Sequence, residues 1–144
     1  MKQAQVRLRE GTKVTIDAGN HTFITDEPLD SGGLDLGPTP MDLLVGALGA
    51  CVAVTVRLYA DRKKWPLEGV DVDVEMERYK SAEYPAYTGT DDFVHEFKLK
   101  INFKGELTEE QRMRLLEIAG KCPVHRAITQ QVYVIDELVQ AESM

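Results

Sequence analysis

Two cysteines carry the reactive potential of this 144-residue chain: Cys51 in "GALGACVAVTV" and Cys122, 71 positions later, in "KCPVHRAI". A cysteine acts as nucleophile, redox group or metal ligand through its thiolate, so its surroundings decide its chemistry. Cys122 precedes Pro123, a residue suited to the first position of a helix. That spacing predicts the Cys122 sulfur at an N-cap, where free N–H groups and the helix dipole favour an anion, with Lys121 beside it and His125 one turn on. Cys51 sits among small and apolar residues, where loss of water raises a thiol pKa. On these grounds alone Cys122 is the more readily ionised of the two. The plainer alternative is that Cys51 only packs and Cys122 only caps. Cys122-x-x-His125 is half a metal site at best, because His21 and His95 are distant and the four-ligand spacing is missing, so no metal is expected.

The rest of the chain must position these thiols. At 43% hydrophobic and 28% charged residues it has the composition of an ordinary globular protein, and its length suits a single domain over residues 1–144. A net charge of −7 disfavours both nucleic acid and anionic membrane surfaces, since affinity for phosphate comes largely from Lys and Arg. The first residues, "MKQAQVRLRE", hold no apolar run of signal-peptide length, so the expected compartment is the cytoplasm. Two cysteines in a reducing compartment are not expected to be a permanent staple.

Alternation in "AQVRL", "KVTIDA" and "HTFIT" predicts three strands, and Gly19-Asn20 between the last two predicts a hairpin. A Gly- and Pro-rich loop, "DEPLDSGGLDLGPTP", follows. Thr39-Pro40-Met41-Asp42 then carries an N-cap, a first-turn proline and a capping-box acid, predicting a helix from Pro40 to Lys63. This helix is uncharged from Leu43 to Val56, too short a run to span a bilayer, and apolar nearly all round, which predicts protein on every side. Gly46, Gly49, Ala50 and Ala53 leave room for a close neighbour.

Beyond it, "VDVDVEMERY" and "FVHEFKLKINFKG" alternate, with Val70, Val72, Val74 and Met76 and then Phe97, Leu99, Ile101 and Phe103 on the apolar faces. These predict long antiparallel strands. Thr108 and Gln111 form another capping box, before a helix with Met113, Leu115, Leu116, Ile118 and Ala119 apolar, ended by Gly120. A short helix, "PVHRAITQQ", and a last strand, "VYVIDELV", complete an α+β chain. Trp65, Tyr84 and Tyr87 are candidates for an apolar mouth near the thiols, with packing as the competing role.

"GGLDLGPTPMDLLVGALGAC" followed by "LTEEQRMRLLEIAGKCPVHRAI" resembles the OsmC/Ohr family of thiol-dependent hydroperoxide reductases, a family that includes a broader group of OsmC-like proteins. The resemblance extends over almost the whole chain in element order. Its most specific parts are the proline-led helix bearing Cys51 and the Cys122-Pro123 helix start. It implies an OsmC-like fold, with antiparallel sheets around a long buried helix, and an intertwined homodimer. It also implies that Cys51 attacks an organic hydroperoxide, that Cys122 resolves the sulfenic acid as a disulfide, and that an external dithiol restores both, with no cofactor. An apolar helix on this scale points to the dimer independently.

The family pairs an arginine of the N-terminal strands with an acid at the start of the central helix, which makes Arg7 and Arg9 the candidate activating cations. The family glutamate stands ten residues before the first cysteine, and Met41 stands there instead. Asp42 is adjacent, but nine residues of helix separate it from Cys51 by about 13.5 Å of rise, so it serves the site across a dimer interface or simply caps its helix. The alternative to a peroxidase is therefore an OsmC-like dimer without turnover that binds a small apolar ligand or senses redox state.

Overall fold

The computed structural model describes residues 1–139. Strands β1 (Ala4–Leu8), β2 (Val14–Ala18) and β3 (His21–Thr25) lead to helix α1 (Pro40–Lys63). Strands β4 (Gly69–Lys80) and β5 (Phe93–Lys104) and helices α2 (Glu109–Ala119) and α3 (Pro123–Thr129) follow. The chain forms two compact units, one of residues 1–50 and 72–101, the other of residues 51–71 and 102 onward. The class is α+β with antiparallel sheets and a long helix.

In the first unit β1, β2 and β3 form an antiparallel sheet in that order. Ala18 pairs with His21 across Gly19-Asn20, and Gly19 takes a φ of 60°, the positive value that a glycine-first hairpin turn requires. The loop after β3 is organised by one carboxylate. Asp26 is buried and accepts the Thr12 hydroxyl at 2.6 Å and the backbone N–H groups of Glu27, Leu34 and Leu36 at 2.8, 3.2 and 3.3 Å. The Thr12 hydroxyl, followed by these amides, holds its pKa below the ordinary carboxylate value against the opposing effect of burial.

The predicted start of α1 is present in full. The Thr39 hydroxyl accepts the Asp42 N–H at 3.1 Å, and the Asp42 carboxylate accepts the Thr39 N–H at 3.0 Å. Gly49 lies against β4, where a built Cβ would come within 3.0 Å of Val74 Cγ2. Gly49→Leu is therefore expected to cost about 2 kcal/mol by overpacking. In Gly49→Ala about 1 kcal/mol of helix propensity offsets the crowding. Urea midpoints compare the two; a Leu variant as stable as wild type would show that the contact does not constrain the helix.

β4 pairs with β5: Ser81 N–H donates to Asp92 O at 2.9 Å, and Glu68 N–H donates to Lys104 O at 2.7 Å, the pattern of an antiparallel hairpin. The second unit has the larger share of the core, with Val52, Val56, Tyr59, Ala60, Leu67, Phe103, Leu115, Ile118, Ala119 and Cys122 buried. Arg112 fastens the start of α2 to the end of β5 by donating to Phe103 O at 2.6 Å and Gly105 O at 2.8 Å.

Two expectations need correction, the enclosure of α1 and the strand at residues 132–139. Helix α1 is not enclosed on every side: Leu48, Gly49, Val52, Val56, Tyr59 and Ala60 are buried, whereas Ala47, Ala50, Val54 and Leu58 are exposed. Its mean hydropathy of 1.9 over 18 residues is also high enough for a membrane span, more than the count of uncharged residues suggests, although its buried face packs on protein. On α2, Leu115, Ile118 and Ala119 are buried but Met113 and Leu116 are exposed, because a helix lying on one core buries only a stripe. Residues 132–139 form no strand, because no neighbouring strand supplies their ladder, and Val132, Tyr133, Val134, Ile135, Leu138 and Val139 are exposed.

Candidate functional site

The second unit brings together the two cysteines that stand 71 residues apart. The Thr108–Gln111 capping box starts α2, and after Gly120 the backbone turns tightly through Lys121 N–H to Ile118 O at 2.9 Å and Cys122 N–H to Ala119 O at 3.4 Å. This delivers Cys122 in an extended conformation to the N-cap of α3, where its Sγ accepts the His125 N–H at 3.1 Å. Cys122 is fully buried, Cys51 on α1 is half-buried, and both are free thiols.

The surroundings of Cys122 act against the ionisation expected from its N-cap position. Burial, first of all, pushes the Cys122 pKa up, and the neighbouring Cys51 thiol raises it further; the N–H groups of His125 and Val124 pull it down by less. Desolvation outweighs a helix of about two turns. Cys122 is thus the sheltered member of the pair, its burial favouring the neutral thiol, and Cys51 is the less buried one. His125 contributes its backbone N–H, while its side chain is half-exposed, as Lys121 is fully.

The other candidates belong to the first unit. Arg7 Nη2 donates to Asp17 Oδ2 at 2.6 Å, and Asp17 also accepts the Thr22 hydroxyl at 2.6 Å. Thr22 first, then Arg7, hold the Asp17 pKa below its ordinary value. Arg9 lies beyond the end of β1, exposed, and donates to Leu8 O at 3.4 Å. Arg7 and Arg9 line a cleft of about 750 Å³ together with Lys13, Thr12 and Asp26. Asp42 is engaged in both limbs of its capping box, and Met41 is exposed.

Of the aromatic candidates, Trp65 lies in the unit of the thiols, its ring edge-on to Tyr59 at 5.6 Å. Tyr84 and Tyr87 belong to the other unit, where their hydroxyls donate to Glu96 at 2.8 Å and Asp91 at 3.0 Å. Sequence patterning missed the grouping of Tyr59, Trp65 and Arg114. The i+3 and i+4 spacing of Arg62 and Lys63 to Tyr59 was a signal, but Arg114 is 55 residues away and left none.

A half-buried thiol beside a fully buried one is a dithiol that an oxidant can convert to a disulfide. The fold is shared with an OsmC-like protein from Mycoplasma pneumoniae, at a TM-score of 0.71 and 20% identity over 90% of this chain and 87% of that one. It is shared also with an organic hydroperoxide resistance protein OsmC from Legionella pneumophila, at a TM-score of 0.64 and 22% identity over 89% and 88%. No curated protein matches the chain in sequence. Residues 32–136, which include both cysteines, match the profile of the family described as OsmC-like protein, and the chain belongs to that family, which includes organic hydroperoxide resistance proteins.

Proposed function

We propose that this protein is a homodimeric thiol peroxidase that reduces organic hydroperoxides to alcohols. The observation that carries this is the pairing of a half-buried Cys51 with a fully buried Cys122 whose burial favours the neutral thiol. The Cys51 thiolate attacks the distal oxygen of the O–O bond and becomes a sulfenic acid, and the alkoxide released takes up a proton to leave as the alcohol. Cys122 then attacks the sulfenic sulfur; the S–S bond forms, the S–O bond breaks, and water departs. An external dithiol reduces the disulfide by two successive exchanges and is itself oxidised.

The surroundings of Cys51 on α1, Ala47, Ala50 and Val54, suit an alkyl hydroperoxide better than hydrogen peroxide. A reducing cytoplasm is the compartment that would keep both thiols available. Arg7 or Arg9 are the cations proposed to favour the Cys51 thiolate in the dimer, with Asp42 of a partner as the acid.

Incubation of the reduced protein with cumene hydroperoxide should give a Cys51–Cys122 disulfide, and dihydrolipoamide should sustain turnover. If both thiols survive excess peroxide, the protein is an OsmC-like dimer that binds a small apolar ligand or senses redox state. Met41 at the family glutamate position is the feature that favours this second reading.

A further inference from the structure

The C-terminal end of α1 gathers more positive charge around one phenol than packing requires. Arg62, Lys63 and Arg114 each lie over the Tyr59 ring, at 5.5, 5.7 and 5.5 Å from its centroid. One cation is enough to cover a tyrosine face, and three placed together repel one another. The chain as a whole carries −7, so this cluster runs against its general charge. Only part of it is neutralised. Arg114 Nη1 donates to Glu117 at 2.8 Å, and Arg114 Nε donates to the Tyr59 hydroxyl at 3.0 Å. Arg62 and Lys63 have no ion pair among the described residues. The cations, the Arg114 hydrogen bond foremost, hold the Tyr59 pKa below its ordinary value, as a site of positive potential should.

Tyr59, Lys63 and Arg114, with Glu110 and the Arg114-paired Glu117, line a cavity of about 540 Å³, large enough for a small molecule. Its lining combines donors and an apolar platform. The Tyr59 oxygen accepts from Arg114 Nε, and its O–H has no acceptor among the described residues. Lys63 Nζ and the second terminal nitrogen of Arg114 are donors without protein partners among the described residues. Trp65 and Met113 supply flat and aliphatic surface.

We propose that this pocket binds a small organic oxyanion, a carboxylate or phosphate monoester attached to a flat apolar body, with the oxyanion on Tyr59, Lys63 and Arg114 and the body against Trp65. The site is separate from the thiol chemistry and does not depend on it.

Trp65 is the single tryptophan of the chain, and its ring touches Tyr59, so its fluorescence reports on the pocket without a label. Titration of the full-length protein with phenyl phosphate or benzoate is expected to change the emission saturably, whereas phenol is not. Tyr59→Phe, which keeps the ring, and Lys63→Gln, at an exposed position, are each expected to weaken phenyl phosphate about tenfold. Circular dichroism verifies that each variant is folded, and Lys63→Gln carries the test if Tyr59→Phe is not. Absence of saturation with either anion, equal binding of phenol, or unchanged affinity in Lys63→Gln would overturn the proposal.

Discussion

Cys51→Ser is expected to lower hydroperoxide turnover at least about a thousandfold, whereas Cys122→Ser should consume one equivalent of peroxide and stop with a sulfenic acid on Cys51. The asymmetry follows from exposure. In the proposed mechanism peroxide reaches the half-buried Cys51 but not Cys122, which has no accessible surface, so Cys51 is expected to react first whichever thiol an N-cap would favour. The variants are also well matched in fold, because serine at the N-cap of α3 accepts the His125 N–H as well as cysteine does or better. A dimedone adduct located by mass spectrometry on Cys51 in Cys122→Ser distinguishes trapping from inactivity. An adduct confined to Cys122 in Cys51→Ser, together with retained turnover, would falsify the assignment.

The same burial sets a pH dependence for the second step. In the proposed mechanism Cys122 attacks the sulfenic acid as a thiolate, and burial holds its pKa above the ordinary cysteine value. Below that pKa each pH unit raises the thiolate fraction about tenfold, so disulfide formation should accelerate from pH 7 to pH 9. Stopped-flow measurement of resolution after a single peroxide pulse reads this directly. A rate flat over that range would mean that a group near Cys122 offsets its desolvation.

What could be read from sequence was local. Thr39, Pro40 and Asp42 mark the start of α1 because a capping box is closed within four residues, and Gly19-Asn20 marks its hairpin for the same reason. What could not be read depends on packing between distant segments. The N-cap of Cys122 was legible, but the upward push on its pKa was not, because it comes from burial and from Cys51, 71 residues away in sequence. Likewise the loop of residues 26–40 was recognisable from glycine and proline, whereas the four donors that converge on Asp26 were not. Helix α1 is instructive in a different way: its all-round apolarity was correct as sequence, yet one chain covers only one of its faces.

That uncovered face supports the second large prediction, a dimer at micromolar concentration that Leu58→Glu converts to monomer. Val54 is 56% and Leu58 61% exposed on α1, and Val6 and Leu8 of β1 and the apolar residues of 132–139 are exposed as well. Stable dimers bury about 1,600 Å² in total, and apolar surface on this scale is not left to water by ordinary monomers. A carboxylate placed in such an interface loses its hydration without gaining a partner, a cost of several kcal/mol and hence a loss of about a thousandfold or more in association. Leu58 is outside the buried core of its own unit, so the fold of the separated chain should persist and the helical signal should be retained. Light scattering on both proteins decides the matter. A wild type that runs as a monomer, or a Leu58→Glu variant that remains a dimer, would remove α1 from the interface, and with it the proposed route by which Asp42 of one subunit serves Cys51 of the other.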